Sequence, residues 1–161
     1  MRIRRSTAAD WEQMWPIVRE IVRAGDTYAY EPDMTAEEAY AIWIEEPPGQ
    51  TVVAVEDDRV FGTAKMGPNR PGAGAHVATA SFMVSADARG RGVGTALCQF
   101  ALDWAREDGY AGMQFNAVAD SNQSAIEIYR RLGFEIVGTV PGAFEHPKLG
   151  RVALHIMYCG F

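Results

Sequence analysis

The fold of this chain is decided by Arg89-Gly90-Arg91-Gly92-Val93-Gly94-Thr95, which follows the apolar run Phe82-Met83-Val84 and opens an amphipathic segment. A glycine-rich turn between a strand and a helix points free backbone N–H groups at whatever lies in front of the helix. The positive end of the helix dipole lies at the same place. The stretch therefore predicts a phosphate-binding turn.

The residue types of this turn suit a diphosphate. Gly92 and Gly94 lack a Cβ, so a bulky polyphosphate can approach the main chain, and Arg89 and Arg91 oppose its charge. A lone glycine-rich turn is more often a solvated loop. Two other phosphate motifs fail, because the P-loop needs a Gly-Lys-Ser/Thr ending and the dinucleotide fingerprint needs a glycine at the position of Thr95. The pattern that fits is Arg-x-x-Gly-x-Gly.

This pattern resembles the acyl-CoA binding motif of the GCN5-related N-acetyltransferase (GNAT) family. A second block agrees with it, since Asn116, Asn122 and the run Tyr129-Arg130-Arg131-Leu132-Gly133-Phe134 are similar to the family's asparagine, helix, tyrosine and Leu-Gly-Phe arrangement. The resemblance implies an α/β (α+β) fold with a mixed, mostly antiparallel sheet of about seven strands, a splayed parallel pair and about four helices. One N-acetyltransferase domain is expected over residues 1–161.

The resemblance implies acetyl-CoA as the acyl donor and no metal. Main-chain groups of Phe82 to Val84 would bond the pantetheine arm and the thioester carbonyl, and the phenol of Tyr129 would protonate or hydrogen-bond the leaving sulfur. From periodicity alone, Asn122 is equally well explained as a helix cap and Tyr129 as a core aromatic. The implied cofactor contacts are Phe82, Met83, Val84, Arg89, Gly90, Arg91, Gly92, Val93, Gly94, Thr95, Asn122 and Tyr129.

The second predicted catalytic residue is Asn116, whose amide could hold a water or the acceptor amine at the end of a strand. The segment Thr27-Tyr28-Ala29-Tyr30-Glu31-Pro32 resembles the phosphinothricin acetyltransferase-like branch, in which a carboxylate lies on the cofactor strand near Thr79. Threonine cannot act as a base at neutral pH. Glu31, His76 and a water held by Asn116 therefore remain as alternative bases.

A closer resemblance is to a branch that includes fungal enzymes acetylating proline analogues such as azetidine-2-carboxylate. It covers Lys65 to Gly72, His76 to Val84 and Gln114 to Val118. An asparagine typically stands in that branch where this chain has Thr79, so a different acceptor is expected. The predicted substrate-binding residues are Tyr28, Tyr30, Glu31 and Thr79.

The leading interpretation is an acetyl-CoA-dependent N-acetyltransferase for a small amine, such as an amino or imino acid or a toxic analogue, acting in detoxification. Relatives of this kind are commonly homodimers. One alternative is acetylation of a protein N-terminus or lysine. Another is a non-catalytic acyl-CoA-binding regulator, against which Tyr129 and Asn116 argue.

Composition limits these interpretations. The chain has 161 residues, of which 48% are hydrophobic and 22% are charged, as expected for one globular domain. Fifteen basic and 21 acidic side chains give a formal net charge of −6, which argues against a nucleic-acid partner. No long apolar run follows the basic N-terminus, so a cytoplasmic protein without membrane contact is expected. Two distant cysteines and three scattered histidines predict no metal site.

Periodicity and turn residues predict the remaining elements. Pro16 is expected to kink the first helix or move its start, and Asp57-Asp58 is expected to form a hairpin turn. The predicted strands cover 1–5, 51–56, 59–66, 76–84, 113–118, 135–140 and 152–158, with a loop at 141–150. The predicted helices cover 9–24, 35–45, a segment from 93 to Gly109, and 122–132.

Overall fold

The computed structural model describes every residue from Met1 to Phe161. Its seven-stranded mixed sheet has the order β1-β2-β3-β4-β5-β7-β6. The strands are β1 (Arg2–Arg5), β2 (Gln50–Glu56), β3 (Arg59–Pro68), β4 (Val77–Val84), β5 (Gly112–Ala119), β6 (Glu135–His146) and β7 (Gly150–Gly160); the helices are α1 (Trp11–Ala24), α2 (Ala36–Trp43), α3 (Val93–Glu107) and α4 (Gln123–Arg131). The predicted fold class is confirmed.

Local signals placed several element ends correctly. Asp57 and Asp58 both have positive φ, 48° and 60°, as a two-residue hairpin turn requires. The side chain of Thr35 accepts a hydrogen bond from the backbone N–H of Glu38, so the predicted capping box opens α2. The helix ends at Trp43, two residues before the predicted end, because Ile44 already has extended geometry.

Two predicted chain breakers lie inside regular elements. Pro16 lies within the continuous α1, which begins at Trp11, and the buried side chains of Met14, Ile17 and Val18 hold this helix on the sheet. The segment 141–150 is not a loop, since β6 and β7 continue through it to a tight hairpin. A register shift between Val140 and Phe144 absorbs Pro141, which an edge strand tolerates.

Helices cover both faces of the sheet and divide the core into two layers. The larger cluster lies under α3 and α4, and the smaller one lies under α1 and α2. Cys98 and Cys159 are both buried and unpaired in the larger cluster, as expected for small hydrophobes. Alternation of side chains along β4 assigns Ala78 and Ala80 to the larger cluster and Met83 to the smaller one.

The parallel pair β4 and β5 separates after a short contact. Its ladder consists of Val77 with Gly112 and Ala78 with Met113. Beyond Met113, β5 remains paired only with β7, which it already contacts from Gly112, and the β5–β7 register shifts between Phe115 and Val118. A gap therefore opens between the carboxyl-terminal ends of β4 and β5, and α3 begins beside it.

The start of α1 depends on an ion pair whose carboxylate is buried. Arg4 donates two hydrogen bonds to the carboxylate of Asp10, at 2.7 and 2.8 Å. Asp10 also accepts a hydrogen bond from the backbone N–H of Thr7. The Arg4 bond, followed by those from Thr7, lowers the pKa of the Asp10 carboxyl from 3.8 to about 2.

This ion pair predicts a specific acid sensitivity. Because the pKa of Asp10 is lower in the folded state, its contribution is complete above pH about 4 and disappears as the pH falls towards 2. Asp10→Asn is expected to reduce the free energy of unfolding at pH 7 by about 2 kcal/mol and to flatten its dependence on pH in that window. Urea unfolding from pH 2.5 to 7 measures both effects, with the exposed Asp103→Asn as control. Parallel pH profiles for wild type and Asp10→Asn would contradict this role.

Candidate active site

A cleft of about 720 Å³ lies along the end of β4, on the strand that borders the gap. Its walls are the end of β4, the first turn of α3, the outer face of α4 and the loop after α1. Most of the predicted cofactor contacts meet there: Phe82, Val84, Arg89, Gly90, Gly92, Val93, Gly94, Thr95, Asn122 and Tyr129 line the cleft. Predictions made from distant parts of the sequence thus converge on one site, although their roles remain predictions.

The glycine-rich turn presents free amides to this cleft. Gly92 caps α3 with φ 78°, a conformation that favours glycine. The first intrahelical bond runs from the N–H of Ala96 to the carbonyl of Gly92, so the N–H groups of Val93, Gly94 and Thr95 have no partner within the helix. This geometry suits an anion.

Arg91 does not share this cleft with Arg89. Its guanidinium donates to Glu56 at 2.6 Å and lies 4.5 Å from the ring centre of Phe61. The side chain therefore holds the turn against the β2–β3 hairpin, and the predicted contribution of its charge to the diphosphate does not agree with its position. Arg89 lines the cleft.

The inner wall of the cleft is the free edge of β4. The N–H of Ser85 donates to the carbonyl of Phe61 on β3, so alternation along the strand turns the main-chain groups of Met83 to β3 and those of Phe82 and Val84 to the gap. The prediction for Met83 is corrected accordingly: its carbonyl faces Gly62. The main-chain groups of Phe82 and Val84 face the gap as predicted, but both of those of Phe82 are bound there by the Tyr28 hydroxyl.

Tyr129 lies at the inner end of the cleft among aromatic rings. Its ring centre is 4.5 Å from that of Phe115, 5.9 Å from that of Phe134 and 6.2 Å from that of Phe82. Burial, followed by the neighbouring Tyr28 and Cys98, holds the pKa of the Tyr129 phenol well above its ordinary value of 10. The hydroxyl therefore stays protonated at neutral pH and can donate its proton.

The outer face of α4 supplies groups that sequence reasoning missed. Asn122 accepts a hydrogen bond from the N–H of Ala125 at 3.4 Å and therefore caps α4. It also lines the cleft, where its contact with the cofactor stays a prediction. Ser124, Ile128 and Arg131 line the same wall. Their spacing of four and three residues marks one helix face, and this signal could have identified Arg131 as a second cation beside Arg89.

Asn116 lies on the far side of the gap, outside the cleft. Its amide donates to the side-chain oxygen of Asn69 at 2.7 Å and accepts from Gln114 at 2.9 Å. If the β4–β5 register is continued, Asn116 stands opposite Ser81 across the gap. A group of three neutral amides thus borders the side opposite α3 and α4, where a second substrate could approach.

The predicted acceptor residues are only partly brought together. Tyr28 and Tyr30 stack with ring centres 5.5 Å apart, and Tyr28 alone of the two lines the cleft. Burial, followed by the charge of Glu45, raises the pKa of Tyr30. Thr79 is half-buried on β4, and Glu31 is exposed. None of these positions supplies a base within the cleft, so the base remains undecided between Glu31, His76 and a water held by Asn116.

Comparison with known proteins agrees with this geometry. Residues 11–134 match the model of the acetyltransferase (GNAT) family. The chain belongs to that family. A GCN5-related N-acetyltransferase from Kribbella flavida has 52% sequence identity and a TM-score of 0.97, and the alignment covers 99% of this chain and 97% of that one.

Two further relatives connect the family to a cofactor and to substrates. A phosphinothricin acetyltransferase from Sinorhizobium meliloti, solved in complex with acetyl-CoA, has 25% identity and a TM-score of 0.88 over 99% of this chain and 88% of that one. The L-methionine sulfoximine/L-methionine sulfone acetyltransferase of Pseudomonas aeruginosa is 39% identical over 93 residues, which are 57% of this chain and 52% of that protein. The family's acyl donor is acetyl-CoA.

The curated relatives are covered to very different extents. This chain spans 14% of the yeast protein SPT10 and about half of the Pseudomonas enzyme. No helix of this chain has the length and apolar character required to cross a membrane.

Proposed function

We propose that this protein transfers the acetyl group of acetyl-CoA to the primary amine of a small amino acid. The observation that carries the proposal is the continuity of the cleft. It runs from the free amides at the start of α3, along the edge of β4, to the protonated hydroxyl of Tyr129. Those three parts match the diphosphate, the pantetheine arm and the sulfur of an acyl-CoA.

Each part then has a chemical task. The N–H groups of residues 93–95, with Arg89 and Arg131 nearby, hold the diphosphate. The arm lies along Val84 and Asn122. Holding the thioester opposite the acceptor in this way replaces a bimolecular encounter by a bound, oriented pair, which is a large part of the expected rate enhancement.

The transfer needs no covalent enzyme intermediate. The lone pair of the amine forms a C–N bond, and the carbonyl π pair moves to oxygen. When the carbonyl re-forms, the C–S bond breaks with its electron pair on sulfur, which takes a proton from Tyr129. The proton released by nitrogen leaves through the base, and Tyr129 regains one from solvent. Burial raises the pKa of the phenol, and the same burial disfavours a free thiolate in the cleft, so the proton moves to sulfur as the C–S bond breaks.

An amino-acid acceptor is supported by the far side of the gap and by the relatives. Asn69, Gln114 and Asn116 offer neutral amide donors and acceptors to a polar substrate. The Pseudomonas relative is named for two methionine derivatives and the Sinorhizobium relative for phosphinothricin, all of which are amino acids with a polar side chain. Detoxification of such an analogue in the cytoplasm, by a homodimer, remains part of the proposal.

An acceptor panel tests this function. Release of free CoA is measured with methionine sulfoximine, phosphinothricin, azetidine-2-carboxylate, ordinary amino acids, their methyl esters, and peptides with free N-termini or lysines. At least one free amino acid is expected to give a kcat/KM about 100-fold above every peptide, a difference of about 3 kcal/mol in transition-state binding. Preference for a peptide would favour protein acetylation instead. Tight CoA binding without release of CoA on any acceptor would favour a regulator.

A further inference from the structure

The hydroxyl of Tyr28 occupies the free edge of β4 at the inner end of the cleft. It donates to the carbonyl of Phe82 at 2.6 Å and accepts from the N–H of the same residue at 3.0 Å. The two residues are 54 positions apart in the sequence. The main-chain groups of Phe82, which would otherwise lack a strand partner at the gap, are thus both bound by one side chain.

The ring of Tyr28 is fixed in this place. It stacks on Tyr30 at 5.5 Å with an interplanar angle of 7°, and it meets Trp43 edge-on at 6.2 Å. Burial is the main cause that raises the pKa of Tyr28, so the phenol keeps its proton at any physiological pH. The ring cannot swing out without breaking these contacts. The O–H bond, by contrast, can change direction by turning about the C–O axis without moving the ring.

A thioester laid along β4 meets this hydroxyl. Its sulfur would lie beside Tyr129, and its carbonyl would lie at the level of Phe82, where the N–H is already bound to the Tyr28 oxygen. Tyr28 and Tyr129 line the same cleft, and Tyr28 is close enough to contribute to the raised pKa of Tyr129. On the edge of β4, the polar hydrogen that the incoming carbonyl would meet is therefore that of the Tyr28 hydroxyl.

We propose that Tyr28 is a catalytic residue that donates a hydrogen bond to the carbonyl oxygen of the bound thioester, an inference that rests on the proposed function. The N–H of Phe82 continues to donate to the Tyr28 oxygen, which orients the hydroxyl and polarises it. The acyl oxygen is thereby held by a chain of two donors that starts in the backbone of β4.

The arrangement favours the transition state over the bound substrate. To reach the thioester, the hydroxyl gives up its bond to the carbonyl of Phe82, which is a comparable neutral acceptor. When the amine adds, the π pair of the thioester moves to oxygen, and a bond to this anion is about twice as strong as a neutral one. Tyr28 retains its proton throughout, while Tyr129 supplies the proton that the sulfur takes. Stabilisation that grows with the charge raises kcat more than it lowers KM.

Isotope-edited infrared spectroscopy tests this donor directly. Acetyl-CoA carrying ¹³C at the carbonyl is bound without an acceptor to wild type, Tyr28→Phe and the control Tyr40→Phe, whose exposed hydroxyl lies on α2 away from the cleft. The carbonyl stretch is expected at a lower frequency in wild type and the control than in Tyr28→Phe. The kcat of Tyr28→Phe is expected to fall about 100-fold, with KM for acetyl-CoA changed by less than about threefold.

The outcomes distinguish a hydrogen bond from Tyr28 to the thioester from a role in which Tyr28 only holds Phe82 in place. Tyr28→Phe keeps the stacked ring, and thermal unfolding checks that it is folded. A fall in kcat with an unchanged carbonyl stretch would mean that the phenol acts only by holding Phe82, which overturns the inference. Tighter binding of acetyl-CoA with undiminished kcat would mean that the donor displaces Tyr28, which also overturns it. If the wild type does not bind acetyl-CoA, the proposed function is overturned as well. If it binds acetyl-CoA but the carbonyl stretch is the same in wild type and Tyr28→Phe, only this inference is overturned.

Discussion

Gly92→Val is expected to weaken acetyl-CoA binding by about 100-fold or more, which corresponds to the loss of two charge-assisted hydrogen bonds of about 1.5 kcal/mol each. Apart from Gly92 and its two chain neighbours, no protein atom lies within 4 Å of the point where a Cβ would stand, and Gly92 lines the cleft. A valine side chain would therefore enter space left for the diphosphate and keep it from the amides of residues 93–95. Isothermal titration with CoA measures the loss.

The substitution has a second effect, which needs a matched control. A β-branched residue at φ 78° is strained by about 1–3 kcal/mol wherever it lies. Gly109, at the other end of α3, has φ 80° and equally open surroundings, but it lies outside the cleft. Gly109→Val should lower the thermal stability as much as Gly92→Val and leave CoA affinity unchanged. Equal loss of affinity in both variants would show that backbone strain is responsible, and not the filling of the space in front of the amides of residues 93–95.

Tyr129→Phe is expected to lower kcat by about 100-fold while CoA affinity stays within about threefold of wild type. The phenylalanine ring preserves the contacts with Phe115 and Phe134, and only the proton that the leaving sulfur needs is removed. Stopped-flow or steady-state release of CoA gives kcat, and calorimetry gives the affinity. The effect should concern the breakage of the C–S bond alone.

The control for this substitution is Tyr110→Phe. Tyr110 packs on Trp104 near the far end of α3, and it lies outside the cleft. Its hydroxyl can be removed without consequence for turnover. If Tyr129→Phe retained wild-type kcat, the leaving sulfur would take its proton from solvent and Tyr129 would be a core aromatic. If Gly92→Val and Tyr129→Phe had the same kinetic signature, the division between binding and chemistry would be wrong.

Features that depend on neighbouring residues could be predicted from the sequence. The turn at Asp57-Asp58, the cap of α2 and the glycine-rich start of α3 are each determined by a few adjacent side chains. The full length of the β6–β7 hairpin could not be predicted, because Pro141 and Gly142 are typical of a loop. Both residues are tolerated here because β6 is an edge strand, with one side free of hydrogen-bonded neighbours.

Features that depend on distant pairs were beyond sequence reasoning. Arg91 is drawn out of the cleft by Glu56 and Phe61, which belong to a different hairpin. The bond between Tyr28 and Phe82 joins the loop after α1 to the middle of the sheet. In both cases the side chain was identified, but its direction is set by the tertiary structure.

The β4–β5 ladder has only two residue pairs, so backbone hydrogen bonding in the sheet is weakest between the four strands on the β4 side and the three strands on the β5 side. An acyl-CoA bound along β4 adds main-chain hydrogen bonds that the chain does not make for itself. The bound donor therefore stabilises the part of the sheet that has the fewest backbone hydrogen bonds. Mass action then stabilises the native state by about 2.7 kcal/mol at a free concentration 100 times Kd. The lifetime of this protein against proteases would accordingly follow the acetyl-CoA supply of its cell.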